Sequence, residues 1–336
     1  MRRTWTALLL TLAVVGLAAP QGALAAPATP PSIYWRVTGH VHDGDRGFHY
    51  VATFAQLTIG RDARTGSSNA WRAAHLYLAA CELTADDPQA YAAEQRYARP
   101  AAAEARFAET PVDLDVAGWR LSDGTRRDAA RLDIRGDRFA IDVTLHGERR
   151  FVRAAADREL APDLRTSGTL VIAGHRHNVR GVSTIERIAS ADIGAPTGDW
   201  TWFNLQLDDG RSLALYQARD AHDAVRSTSG VLVAANGRVT PLHAENVSDP
   251  SWGRCAWTSP ESHLRYPTVW DLALPSARLI LILQATQREQ EVVPQIGGPP
   301  FWEGAADVID ADTDAHIGWA IVNVRGIQPH AMPCGG

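Results

Sequence analysis

The sequence predicts an almost entirely β-sheet protein of barrel or sandwich type. Three observations carry the prediction. Short stretches alternate apolar and polar residues, Asp-Gly and Asn-Gly turns separate them, and only one stretch has a helical composition. Regularly spaced short strands with turn residues between them are the pattern of β-barrels and β-sandwiches.

The chain opens with Arg2 and Arg3, an apolar run from Leu8 to Ala18, and the small-residue site Ala23-Leu24-Ala25. That is the three-part plan of a secretory signal peptide over residues 1–26, so a periplasmic or secreted protein is expected. The run is shorter than the roughly 20 residues that a permanent membrane helix needs. No stable membrane span is expected after cleavage. Arg2-Arg3 leaves a twin-arginine export route open.

Asp87 to Ala108, rich in Ala, Glu and Gln and interrupted at Pro100, predicts a short helical insertion. Leu132 to Ile134 and Phe139 to Leu145 alternate across Gly136-Asp137, which predicts a half-buried hairpin. Leu170 and Ile172 return through Val179 after Ala173-Gly174. Phe203 to Leu207 return through Leu213 and Leu215 after Asp208-Asp209-Gly210. Val231 to Val233 return at Val239 after Asn236-Gly237. Such dipeptides favour tight hairpins because they tolerate positive φ. Leu279 to Leu283 is a continuous apolar run, which predicts a strand buried on both faces. Trp35 and Trp202 each precede a strand that ends in an Asp-Gly turn. That echo, with Ala, Gly and Pro gathered at 188–198, predicts two related β units, an N-terminal one over 30–190 and a C-terminal one over 196–330.

Composition narrows the function. The chain is 45% hydrophobic and 21% charged with a net charge of −5, which argues against a nucleic-acid partner. Eleven Trp favour large cores and binding pockets. Cys81, Cys255 and Cys334 permit one disulfide in an oxidising compartment, with the pair undetermined by spacing. His40 with His42, and His175 with His177, have a spacing that can hold a metal, but no further ligands accompany them, so no metal and no other cofactor are expected. There is no G-x-S-x-G nucleophile elbow and no phosphate-binding Gly loop.

One stretch is more specific. Gly198-Asp199-Trp200-Thr201-Trp202-Phe203-Asn204-Leu205-Gln206-Leu207-Asp208-Asp209-Gly210-Arg211, followed by Leu215-Tyr216-Gln217-Ala218-Arg219-Asp220, resembles a signature of the AttH and carotenoid 1,2-hydratase (CrtC) family, which includes kievitone hydratase. Tyr34-Trp35 with Thr38-Gly39-His40, Tyr266-Pro267-Thr268 with Trp270, and Trp302-Glu303-Gly304 follow in the family's order. The resemblance implies two lipocalin-like β-barrels packed together, an apolar tunnel or pocket near their interface, and a terpenoid or prenylated ligand. It also implies a hydro-lyase or cyclase acting on an isolated double bond. That chemistry needs a carboxylic acid kept protonated by burial, aromatic faces for a carbocation, and a group to collect the proton of the added water.

The chain departs from the family where the acids are expected. Its Asp-His-Glu run reads Glu186-Arg187-Ile188 here, and a C-terminal Glu is replaced by Asn323. Glu186 is then the strongest remaining acid, read either as a lone proton donor or as an ion-pair partner of Arg187. Glu303 reads either as a pocket acid or as a carboxylate accepting backbone bonds at a turn. Trp200, Trp202, Asn204 and Gln206 share one strand face. Trp200 and Trp202, with Trp35, His40, Tyr216, Gln217, Trp302 and Asn323, form the candidate ligand-binding set, as a pocket lining or as plain core. The sequence therefore predicts an exported protein that holds a small hydrophobic molecule, with eroded hydratase machinery. An active hydratase or cyclase using Glu186 or Glu303 is the alternative, and an envelope protein without a ligand is the third reading.

Overall fold

The computed structural model describes residues 32–58, 75–86, 90–99, 104–124, 128–190, 199–219, 225–247, 255–296 and 298–325. The predicted signal peptide, Pro100 and Cys334 lie outside them. Twelve strands come first: β1 (Ser32–Asp43), β2 (Arg46–Thr58), β3 (His75–Ala85), β4 (Ala90–Ala98), β5 (Ala105–Glu109), β6 (Val112–Val116), β7 (Trp119–Asp123), β8 (Ala129–Arg135), β9 (Phe139–His146), β10 (Val152–Ala155), β11 (Arg158–Ile172) and β12 (His175–Ser190). Eleven more follow: β13 (Asp199–Leu207), β14 (Ser212–Arg219), β15 (Val225–Val233), β16 (Val239–His243), β17 (Ala256–Thr258), β18 (Arg265–Pro267), β19 (Val269–Leu274), β20 (Leu279–Ala285), β21 (Glu291–Val292), β22 (Phe301–Asp310) and β23 (His316–Arg325).

The first twelve strands form one sheet in the order β4-β3-β2-β1-β12-β11-β9-β8-β7-β6-β5, with β10 on β11. It curls into a nearly closed, lipocalin-like barrel. Its two ends are drawn together by Arg96 of β4, which donates to the Ala117 and Arg135 carbonyls at 2.8 and 2.6 Å. The barrel is filled by the inward half of each alternation, with Val37, Phe48, Tyr50, Leu83, Leu114, Trp119, Leu132 and Ile141 all buried. Gly39 is glycine for a visible reason: a Cβ there would stand 2.3 Å from the Tyr50 ring. The Tyr50 hydroxyl is in turn fixed by Ser183 at 2.7 Å.

The later strands form a half-barrel in the order β16-β15-β14-β13-β23-β22-β20-β19, with β21 on β22 and β17–β18 as a separate ribbon. In each sheet the first strand is flanked by its hairpin partner and by the sheet's last strand. The second core gathers Phe203, Leu205, Trp270, Leu272, Leu281, Trp302 and Val322. The hairpins expected at Gly136-Asp137, Ala173-Gly174, Asp209-Gly210 and Asn236-Gly237 all form. Gly174, Gly210 and Gly237 take the positive φ that these turns require.

Two expectations are corrected. The predicted helical insertion is strand: Ala90–Ala98 pairs along β3, and Ala105–Glu109 pairs with β6. Helix propensity is a weak prior. Here Ala92 and Ala98 turn inward on the β ladder while Glu94 caps the neighbouring turn by accepting from Asp137 N at 2.9 Å. The run Leu279 to Leu283 is buried on one face only. Leu279, Leu281 and Leu283 enter the second core, while Ile280 is 50% exposed.

Candidate active site

The outer face of the barrel packs on the outer face of the half-barrel, and the candidate residues divide according to which face they occupy. On β1, Trp35, Val37 and Val41 point into the barrel, so Arg36, Thr38 and His40 point out. On β12, Ile185 points in and Glu186 out. On β13, Phe203 and Leu205 enter the second core, so Trp200, Trp202 and Asn204 face the barrel. An apolar seam of Val51, Trp202, Ala305, Trp319 and Ile321 joins the two faces, with Tyr216 beside it. Direct bonds cross it: Asn204 Nδ2 donates to Thr38 Oγ1 at 3.1 Å, and Thr84 Oγ1 to Gln290 Oε1 at 2.9 Å. Gly304 lets the Gln290 amide lie against its strand, since a Cβ there would be 2.4 Å from the amide nitrogen.

Glu186 lies in this interface, 2% exposed, with the Trp202 side chain as its one hydrogen-bonding neighbour and no bond of normal geometry to its carboxyl oxygens. Arg158 Nη1 stands off at 3.8 Å. Burial raises the Glu186 pKa above the usual carboxylate range, against the opposing pull of Arg158 and Arg36. Beside it the sheets leave a narrow crevice bounded by Arg158, Trp202, Leu215, Tyr216 and Gly230. Its unfilled space, opening included, is about 180 Å³. None of it is enclosed space wide enough for a water molecule, whereas sites for drug-sized ligands enclose about 300–1,000 Å³. The expected apolar tunnel is therefore reduced, among the described residues, to a crevice that a terpenoid could enter only if side chains move.

Glu303 sits mid-strand on β22, 2% exposed, and not at a turn. Its Oε1 receives Arg36 Nη2 at 2.9 Å and Asn323 Nδ2 at 2.8 Å, and Asn323 Oδ1 receives Trp200 Nε1 at 2.8 Å. Glu82 of β3, also buried, is a neighbour of Glu303. Burial and the Glu303 charge push Glu82 well above the usual range. The guanidinium of Arg36 lies 4.7 Å from the Trp202 ring centre, and that of Arg158 lies 4.1 Å from the Tyr216 centre.

His40 lies elsewhere in the same interface. Its Nδ1 is 3.3 Å from His49 Nδ1, His49 Nε2 is 3.2 Å from Asp86 Oδ2, and its ring stacks on Trp319. Burial and the neighbouring His49 push its pKa down to about 3. His177 pairs with Asp43 at 3.3 Å. Among the described residues no group of three or more His, Cys, Asp or Glu side chains is placed to hold a metal ion.

Three candidates fall outside the interface. Trp35 is inside the barrel, where its Nε1 donates to Glu109 Oε2 at 3.1 Å, and Arg187 holds the same oxygen at 2.6 Å. Trp302 is in the second core against Trp270, donating to the Arg288 carbonyl at 2.8 Å. Gln217 is opposite Thr201 on β13, on the reverse face of β14 from Tyr216. Arg36, Glu82, Arg158 and Glu109 were missed by the sequence reading. Glu82 did leave a signal, as a single acid within the apolar run Leu76 to Leu83.

A model of the AttH-like family matches residues 18–327. No curated protein matches the chain. In structure, the chain is similar to an AttH of Nitrosomonas europaea, with TM-score 0.72 and 20% identity over 95% of this chain and 100% of that one. It is also similar to kievitone hydratase of Nectria haematococca, with TM-score 0.63 and 13% identity over 88% of each chain. A third likeness is to CghA, solved with Sch210972, with TM-score 0.53 and 10% identity over 89% of each chain.

Proposed function

The chain belongs to the AttH-like family, and on that premise we propose that it acts on a small hydrophobic molecule by acid catalysis at the interface of its two sheets, as a hydratase or cyclase of a prenyl or terpenoid double bond. The observation that carries the reading is Glu186: a buried carboxyl beside Trp202 at the wall of an aromatic crevice. Burial raises the pKa of a carboxyl so placed and favours its protonated, proton-donating form. In the proposed step its O–H bond breaks as a C–H bond forms on the alkene. Water then adds to the resulting tertiary cation, and the water's proton returns to the Glu186 carboxylate, so that alkene plus water gives alcohol. In a cyclase a second double bond replaces the water. The structural likeness to kievitone hydratase supports the class, and the composition of residues 1–26 supports export to the periplasm or outside the cell.

A second reading is retention of the molecule without turnover. One observation favours it: guanidinium groups already cover one face of Trp202 and of Tyr216, where a carbocation would otherwise be stabilised. One experiment separates the two. The purified protein is extracted with organic solvent, the bound molecule is identified by mass spectrometry, and the molecule is incubated with protein in heavy-oxygen water. Label in the product supports hydration, an unlabelled isomer supports cyclisation, and an unchanged, retained molecule supports binding alone.

A further inference from the structure

The interface holds three buried carboxyls, Glu82, Glu186 and Glu303, and two guanidiniums that face them, Arg36 and Arg158. The distribution of contacts is uneven. Arg36 is placed opposite Glu186 in the β1–β12 register, yet its Nη2 contacts Glu303 at 2.9 Å. Glu303 Oε1 also takes the Asn323 amide, so that oxygen only accepts. Glu82 lies buried beside Glu303, and burial together with the Glu303 charge disfavours ionising both. One of them therefore carries a proton. With Arg36 and Asn323 both donating to Glu303, that proton belongs on Glu82. The Tyr91 hydroxyl, beside this pair, is buried and has no hydrogen-bond partner.

We propose that Glu82 and Glu303 are positioning residues of the interface site: protonated Glu82 closes on Glu303, Glu303 takes the Arg36 guanidinium, and Arg36 is thereby withheld from Glu186. The inference deepens the acid-catalysis reading and rests on it for its purpose, though not for its test. The groups that face Glu186 are Arg36 on β1, Arg158 on β11, Trp202 on β13, Tyr216 on β14 and, across Arg36, Glu303 on β22. With Arg36 committed to Glu303, the near cation is Arg158, too far at 3.8 Å for a hydrogen bond and itself stacked on Tyr216. Released from Glu303, Arg36 would turn to Glu186, its partner in the β1–β12 register, and favour the carboxylate, whose proton would pass to solvent. In this scheme Glu303 is the anchor of the cation that would silence the acid.

Infrared spectroscopy of the full chain at neutral pH tests this without a substrate, because a protonated carboxyl has its own carbonyl stretch. Wild type is expected to show two such bands. Glu82→Gln and Glu186→Gln should each remove one, which assigns them. Glu303→Gln should remove the Glu186 band, and Glu303→Asp should restore it. Persistence of the Glu186 band in Glu303→Gln overturns the proposal, as does a Glu82→Gln spectrum identical to wild type. Arg36→Met is a second route should Glu303→Gln fail to fold. The Glu186 band should persist there, and a band present only in Arg36→Met would show that Arg36 already serves Glu186, overturning the proposal. Bands that behave as expected in a protein without turnover leave the positioning scheme intact and count against the catalytic reading alone.

Discussion

Glu186 and Arg187 are neighbours in the chain but stand on opposite faces of β12: Glu186 faces the half-barrel beside Trp202, and Arg187 turns back to Glu109. The ion pair between them that the sequence suggested does not form, because adjacent strand residues point to opposite sides of the sheet.

Glu186→Gln should stabilise the protein while lowering its activity. The folded pKa lies above the unfolded one, near 4.3. The stability tied to this proton is therefore complete below about pH 4.3 and is lost as pH rises through the folded value. In mildly alkaline buffer the variant should gain about 1–3 kcal/mol, the cost of leaving a buried polar group unsatisfied. Urea midpoints of both proteins across pH measure this; parallel pH profiles would contradict it.

His40→Gln should blunt acid sensitivity. The His40 pKa is lowered from 6.5 to about 3 by burial and then by His49. The stability it contributes is full above pH 6.5 and is lost as pH falls toward 3. The slope from one group is at most about 1.4 kcal/mol per pH unit. Thermal melts at descending pH should show a shallower decline in the variant.

Trp202→Ala removes one of the two tryptophans of the seam between the sheets. Loss of a buried Trp costs about 3–5 kcal/mol. It also uncovers Arg36 and one wall of the crevice. Chemical denaturation should show the loss, and tryptic cleavage should become faster at the seam.

The hairpins were legible because turn chemistry is local: Gly174, Gly210 and Gly237 announce positive φ in the sequence itself. The strand Ala90–Ala98 was not, because its Ala, Glu and Gln favour a helix in isolation and only the β3 ladder overrides them. Part of the site was legible too. Trp200, Trp202 and Asn204 share a face by simple alternation, and Glu186 stands where the resemblance implied an acid. Arg36, Glu82 and Arg158 were not legible, since their roles depend on which faces of two separate sheets meet. Trp302 and Glu303, adjacent in one motif, proved to belong to different places: one is in the second core, the other in the interface.

The central claim is that the acid lies between the sheets and not inside the barrel, where Glu109 holds Trp35 and Arg187. Its most direct test is the rate of label uptake from heavy-oxygen water, or of cyclised product, in Glu186→Gln and Glu109→Gln against wild type. The expected result is a fall of about 10²–10⁴-fold in Glu186→Gln, the usual contribution of a general acid, with Glu109→Gln close to wild type. Near-normal turnover in Glu186→Gln together with loss of turnover in a folded Glu109→Gln would place the chemistry inside the barrel and contradict the account.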